Sequence, residues 1–173
     1  MFDWRNTHES ICNAPLVGVG ESDLDTKHPG LEFLRYWRSL NGGKIPARTS
    51  FNPQHIGPLL KWLMMFRREM HDMDDMYFLY LQGNSAAELT DGLQQGTYLQ
   101  DFTDDACFTT RRQVLRSVLQ SGQPAFASIV VGAKKVDFTT NITVGAFPFT
   151  GTEGQPEVVM VPAPELPEMR MHL

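Results

Sequence analysis

The chain has 173 residues, of which 42% are hydrophobic and 20% are charged, and its formal net charge is -5. This composition predicts one globular domain, since a disordered chain has fewer apolar residues and two ordinary domains need a longer chain. The basic residues are scattered along the chain and form no basic cluster, which argues against direct binding of DNA or RNA.

The sequence also carries signals about the cellular compartment. No apolar run approaches the ~18 residues that a membrane-spanning helix needs, and the first residues lack the apolar core of a signal peptide. The two cysteines form neither a CxxC motif nor a disulfide framework, which is typical of a reducing compartment. We therefore expect a cytoplasmic protein without a membrane span.

The N-terminal part of the chain predicts a lead-in followed by a helix. Residues 1–28 are polar, whereas 29–41 have the spacing of an amphipathic helix. Pro29 suits the first helical turn, and Asn41 with Gly42 suits the C-terminal cap. The apolar stripe of this helix either packs on the domain's own sheet or makes a contact with another chain. The candidate contact residues are Leu31, Leu34 and Trp37.

Aromatic, β-branched and alternating residues predict the strands of the domain. Asn52 caps a short helix that begins at Pro53 and precedes the first strand. Short helical turns are predicted over 85–102, and a long helix follows and ends at Ser121-Gly122. The five predicted strands cover residues 62–70, 76–82, 125–133, 137–149 and 157–161.

The order of these elements predicts the fold class. Two strands, short helices, a long helix and three strands indicate an α+β domain with a five-stranded antiparallel sheet and helices on one face. The helix over 29–41 flanks the sheet at the N-terminal side. The domain is predicted to cover 29–161, and the Pro-rich residues 162–173 to form a frayed tail.

Several short motifs occur in the same order as in a known family. They are Tyr36-Trp37, Gly42-Gly43, Pro46-Ala47-Arg48, Gly83, Ser121-Gly122-Gln123-Pro124 and Pro148. As a set, over roughly 29–161, they resemble a bacterial family of PAS-like domains. The resemblance implies a PAS-like fold with a ligand pocket between the concave face of the sheet and the short helices. The pocket candidates that it implies are Tyr80, Leu89, Phe102, Leu115, Asn141 and Thr143.

Motifs for catalysis and metal binding are missing from the sequence. The five histidines do not show the spacing of a zinc site, and no serine stands in a Gly-x-Ser-x-Gly elbow. The pairs Asp74-Asp75 and Asp104-Asp105 occur at a predicted turn and a helix start, where aspartate is favoured for local backbone reasons. We therefore predict no catalytic residue and no metal ligand, and no cofactor is identified.

These observations predict a non-catalytic sensory or regulatory module in bacterial signalling. It would act by binding a small molecule or by contact with a signalling protein or a second copy of itself. Two alternatives stay open at this stage. One is a small α+β enzyme of the hydrolase or isomerase type that uses the same cavity, which a titratable residue buried in the pocket would favour. The other is a scaffold domain with a filled core.

Overall fold

A computed structural model describes residues 17–89, 95–101, 105–133, 138–171 and 173. Within these residues there are seven strands: β1 Val17–Gly18, β2 Met64–His71, β3 Asp74–Gln82, β4 Thr97–Tyr98, β5 Ala125–Ala133, β6 Phe138–Thr150 and β7 Pro156–Pro164. They form one sheet in the order β1-β5-β6-β7-β2-β3-β4, and all of its strand pairs are antiparallel.

The helices of the described residues differ widely in length: α1 Pro29–Asn41, α2 Asn84–Leu89, α3 Asp105–Ser121 and α4 Pro167–Arg170. The predicted helix after Asn52 is the 3-10 helix Pro53–Trp62, which is kinked at Ile56 and contains Pro58. The strand that follows begins at Met64 and not at the predicted residue 62. Helix α1 begins and ends as its caps predict. Its N-cap is His28, and Gly42 adopts the left-handed conformation at its C-terminus with φ of 57°.

The two faces of the sheet carry different hydrophobic clusters. Neighbouring residues of a strand point to opposite faces, so Met65 belongs to the cluster beneath α1 while Met64 and Phe66 belong to the cluster beneath α3. Helix α1 contributes Phe33, Leu34 and Trp37 to the first cluster. Helix α3 contributes Leu115 and Val118 to the second. The sheet is therefore packed between α1 and α3.

The predicted fold class is wrong in two respects, although the chain is α+β. The sheet has seven strands and not the five of a PAS-like sheet, because β1 pairs with β5 and β4 pairs with β3. Helices also lie on both faces of the sheet and not on one. Strands of two residues have no alternating pattern, and no local pattern indicates which face of a sheet a helix covers.

The C-terminal residues are packed against the domain. The predicted boundary at 161 lies inside β7, whose last residues 162–164 are buried, and α4 follows them. Leu173 packs against the cluster beneath α1. Residues 162–171 are therefore part of the folded domain and not a frayed tail. Among the described residues, no helix has both the length and the apolar character to cross a membrane.

Candidate functional site

An open cleft of about 460 Å³ lies where the segment after α1 meets strands β2, β3 and β7. A volume of this order accommodates a small organic molecule. Polar side chains and two aromatic rings form its walls: Arg48, Thr49, Phe51, Arg67, Tyr80, Thr152, Gln155 and Glu157.

A bulge in β3 places Tyr80 in the cleft. Met65 of β2 pairs with Leu81 and Phe66 pairs with Leu79, so Tyr80 is the additional residue between these two pairs. Bulges of this kind redirect a side chain and are frequent beside binding sites. As a result, the Tyr80 hydroxyl reaches across β2 to the carboxylate of Glu157 on β7.

Arg48 is positioned by a backbone connection to β6. Ala47 forms a parallel bridge with Thr150, and the Thr150 N–H donates to the carbonyl oxygen of Pro46 at 3.0 Å. The guanidinium group of Arg48 then lies over the ring of Phe51, 4.5 Å from its centroid. This stacking holds the guanidinium plane in place.

Arg48, Tyr80 and Glu157 form a polar chain at the base of the cleft. Arg48 Nε donates to the Tyr80 hydroxyl oxygen at 3.3 Å, and this hydroxyl donates to Glu157 Oε2 at 2.7 Å. Arg48 Nε lies 3.9 Å from the same carboxylate oxygen, so these two groups attract each other without a direct hydrogen bond. Burial and the hydrogen bond to Glu157 raise the pKa of Tyr80 to about 12. The phenol therefore stays protonated at neutral pH and acts as a donor.

The turn between β6 and β7 completes the surroundings of Glu157. Gln155 Nε2 donates to Glu157 Oε1 at 3.2 Å, and the Glu153 N–H donates to Gln155 Oε1 at 2.9 Å, which orients the amide. A Cβ atom at Gly151 would lie 2.4 Å from the Gln155 side-chain amide and 2.7 Å from Glu157 Oε1, so both side chains would have to move. Glu157 is only 5% exposed, and both of its carboxylate oxygens accept a hydrogen bond.

Arg67 of β2 also lines the cleft. It is paired in register with Glu157 across β2 and β7, but its Nε and Nη2 atoms donate to Glu69 Oε1 at 2.9 and 2.7 Å. Its guanidinium group lies over the ring of Phe78, 5.0 Å from the centroid. The hydrogen bonds from Tyr98 and Arg67 lower the pKa of Glu69 to about 2, so Glu69 remains a charged partner of Arg67.

A second cleft, of about 270 Å³, lies beside the N-terminus of α1. His28 is completely buried there, with Nδ1 accepting from the Gly30 N–H at 3.0 Å and Nε2 lying 3.3 Å from the Ala163 carbonyl oxygen. Glu165 Oε1 accepts from Ser128 Oγ at 2.6 Å and from Thr143 Oγ1 at 3.0 Å. The polar groups of this cleft therefore satisfy one another.

The predicted pocket residues do not meet in one cavity. Tyr80 lines the first cleft and Thr143 the second, whereas Asn141 is exposed. Leu89 packs beneath α1 and Leu115 beneath α3, in different clusters. Phe102 lies outside the described residues. The resemblance implied a hollow on one face of the sheet, but packed helices on both faces separate these side chains.

The predicted contact residues of α1 are directed toward the domain's own core. Leu34 and Trp37 are 2% and 0% exposed, and Leu31 is half-buried. The Trp37 Nε1–H donates to the Pro148 carbonyl oxygen at 2.9 Å, which ties α1 to β6. Leu34 and Trp37 thus offer no surface for a partner while α1 stays docked.

Sequence reasoning missed most of the residues that line the first cleft. In the sequence, Arg48 stands out only as part of a motif, and Glu157 only as the start of a strand. A signal for Glu157 did exist, because a carboxylate that begins the apolar run 158–161 is unusual and indicates a buried partner. Arg48 and Arg67 carry no such signal. Arg48 bonds to Tyr80, which is distant in the sequence, and Arg67 bonds to Glu69 on the same strand.

Within the described part of the chain, no three histidine, cysteine, aspartate or glutamate side chains come together as metal ligands. Comparison with known proteins adds no family assignment, since neither the protein-family models nor the curated proteins searched include a match to this chain.

Proposed function

We propose that the protein is a cytoplasmic, non-catalytic regulatory module. A small molecule binds in the cleft of Arg48, Tyr80 and Glu157, and its binding changes how α1 packs on the sheet. The altered α1 then changes contact with a signalling protein or with a second copy of the chain. The motif series around Tyr36 and Arg48, with its resemblance to bacterial PAS-like sensors, supports this role.

A single observation carries the proposal: the ring under the Arg48 guanidinium belongs to the aromatic cluster beneath α1. The ring centroid of Phe51 lies 5.9 Å from that of Tyr36 and 6.2 Å from that of Phe33, both on α1. Phe51 also contacts Phe149 of β6 at 6.2 Å. A ligand that moves Arg48 therefore changes the packing of Phe51, and Phe51 is in direct contact with α1.

A hydrogen bond reinforces this connection between the cleft and α1. The Asn52 N–H donates to the Tyr36 hydroxyl oxygen at 2.7 Å, directly after Phe51 in the chain. The segment 48–52 is thus attached to α1 by both a ring contact and a backbone hydrogen bond. Densely packed contacts of this kind transmit small displacements between elements, because a packed core has few intermediate arrangements.

The test of this coupling uses a variant and does not need a known ligand. Arg48→Met removes the charge and the stacking over Phe51 but keeps an unbranched side chain. We expect backbone amide resonances of residues 33–37 to shift in two-dimensional NMR spectra, along with those of 47–52. The matched control is Arg68→Met on β2, which lines a different cleft beside Asp75 and Arg116. Shifts confined to 47–52 in the Arg48 variant would contradict the coupling.

A second candidate function is a small enzyme of the hydrolase or isomerase type. The observation that favours it is Glu157, a buried carboxylate that lines the cleft beside Tyr80 and Arg48. The distinguishing experiment incubates the protein with activated aryl esters and enolisable ketones. Turnover that is lost in Glu157→Gln and retained in Glu69→Gln would establish the enzyme and overturn the non-catalytic proposal.

The partner and the oligomeric state have their own measurement. Native mass spectrometry across a concentration series distinguishes a homodimer from a monomer that binds a different protein. A dimer whose dissociation constant changes in Arg48→Met would connect the cleft to self-association. If the native chain and Arg48→Met are both monomeric, the partner is a different protein.

A further inference from the structure

The cleft of Arg48, Tyr80 and Glu157 contains two guanidinium groups in an otherwise acidic protein. Its lining includes two arginines and one glutamate, whereas the whole chain has a formal net charge of -5. Guanidinium groups that line one concave site add their fields inside it and attract an anion, although Glu69 offsets part of the charge of Arg67.

The two arginines keep donor capacity that their neighbours in the fold do not use. Arg48 donates through Nε to Tyr80 and through Nη2 to Met65 Sδ at 3.4 Å, and sulfur is a weak acceptor. Arg67 donates through Nε and Nη2 to Glu69 alone. Among the described residues, neither Nη1 atom has an acceptor within hydrogen-bond distance. Each guanidinium group therefore has N–H donors available to a ligand.

Both guanidinium groups are also oriented before any ligand arrives. Arg48 lies over Phe51 at 4.5 Å and Arg67 lies over Phe78 at 5.0 Å. Ring stacking of this kind lowers the entropy cost of fixing an arginine side chain upon binding. Pre-oriented, partly desolvated guanidinium groups are the donors that proteins use for carboxylates and phosphates.

We infer that the ligand of this cleft is a small molecule with an oxyanion, a carboxylate or a phosphate, held between Arg48 and Arg67. The inference rests on the proposed function and specifies its ligand class. Thr49 and Thr152 also line the cleft, and their hydroxyl groups can serve as further donors to the ligand. Glu157 stays paired with Tyr80 and Gln155, so it does not compete with the ligand for the free N–H donors.

The experiment compares probes that share one ring and differ in charge. Benzoate, phenyl phosphate, benzyl alcohol and benzylamine are titrated into the full chain at constant ionic strength, and arginine Nε–Hε resonances are followed by NMR. We expect the two anions to shift the resonances of Arg48 and Arg67 and to bind about tenfold more tightly than benzyl alcohol. The dissociation constants of benzoate and phenyl phosphate are then compared, and the lower one shows whether the site prefers a carboxylate or a phosphate.

Two variants with the same change in net charge test the location of the site. Arg67→Gln should weaken binding of the tighter anion about tenfold. Arg68→Gln, one residue along β2 in a different cleft, should leave it unchanged. Equal weakening by both variants would indicate a general charge effect and overturn the site.

The remaining outcomes separate this inference from the function on which it rests. Benzyl alcohol that binds in the cleft as tightly as benzoate would overturn the anion preference while small-molecule binding stands. If neither anion shifts the Arg48 and Arg67 resonances, the oxyanion ligand is overturned. The coupling of Arg48 to α1 is then still decided independently, by the Arg48→Met spectra.

Discussion

Tyr80 shows how one residue connects two parts of a site. Its hydroxyl group accepts from Arg48 and donates to Glu157, so it separates a guanidinium group from a carboxylate that would otherwise pair directly. A direct pair would use more of the Arg48 donors. The tyrosine thereby supplies a hydrogen bond to the buried carboxylate of Glu157 while it leaves Arg48 available to a ligand.

Removing this hydroxyl should reveal its contribution to stability. Tyr80→Phe leaves the buried Glu157 carboxylate with one hydrogen bond fewer, and we expect a loss of about 1–3 kcal/mol in the free energy of unfolding. Urea denaturation measures this loss. Tyr98→Phe is the matched control, because the Tyr98 hydroxyl also donates to a glutamate at 2.7 Å but at a more exposed position where water replaces it. Equal losses in the two variants would show that burial of Glu157 is not decisive.

His28 should make the stability of the protein depend on pH near neutrality. Burial lowers the pKa of His28 below 6.5, although the hydrogen bond to Ala163 and the charges of Asp25 and Glu165 oppose this effect, while Arg170 adds to it. The unfolded chain therefore takes up a proton that the folded protein does not. Stability is fully present above pH 6.5 and falls as the pH drops below that value.

The measurement for His28 is the free energy of unfolding between about pH 7.5 and 5.5. We expect a decline for the native chain and a flatter profile for His28→Asn, since asparagine also caps a helix but does not titrate. His55→Asn, at an exposed position, controls for the loss of a histidine. A profile for His28→Asn that matches the native one would assign the decline to another group.

At the scale of elements, the junction between the 3-10 segment and β3 depends on the absence of a side chain. Gly83 donates its N–H to the Leu63 carbonyl oxygen at 2.8 Å. A Cβ atom at this position would lie 2.3 Å from the carbonyl oxygen of Leu60 and 2.4 Å from that of Lys61. Both contacts are with backbone atoms, which have little freedom to move away.

Gly83→Ala should therefore destabilise the domain by about 1–3 kcal/mol, as overpacking against fixed atoms does. Gly57→Ala is the matched control in the same 3-10 segment, since a Cβ atom there would meet nothing within 4 Å. We expect a change of less than about 1 kcal/mol for the control. Thermal or urea unfolding compares the two, and a Gly83 variant as stable as the Gly57 variant would contradict the close packing.

Local signals in the sequence predict the bounds of single elements but not how these elements pair. Helix α1 and strand β5 have the bounds that periodicity and caps predicted, because both signals are local. Pairing between distant elements has no comparable signal. Glu157 faces Arg67 only because β7 lies beside β2, and Arg48 reaches Tyr80 only because Ala47 forms a bridge with Thr150. The candidate cleft could therefore be recognised only after the strands were arranged in the sheet.

At the scale of the whole molecule, the C-terminal segment closes the domain against its N-terminal part. Arg170 pairs with Asp25 at 2.5 Å and donates to the carbonyl oxygens of Pro164 and Glu165 at 3.0 and 3.1 Å. Further along, Ser85 Oγ donates to the Leu173 carbonyl oxygen at 2.6 Å. The C-terminal segment is thus attached to Asp25, which lines the His28 cleft, and to Ser85 at the start of α2.

Arg170→Met should loosen this closure because it leaves Asp25 without its partner. The side chain of Arg170 is 9% exposed and that of Asp25 is 26% exposed, so water replaces the lost ion pair only in part. We expect a loss of about 1–3 kcal/mol in stability and faster hydrogen exchange in residues 20–28 and 165–171.

The matched control is Arg38→Met, which removes an ion pair with Glu21 of the same length, 2.5 Å, but with side chains that are 53% and 49% exposed. That control should change stability little, because solvent screens an exposed pair. Equal effects of the two variants, or exchange that stays unchanged in 20–28 for Arg170→Met, would show that the C-terminal segment does not hold the N-terminal part in place.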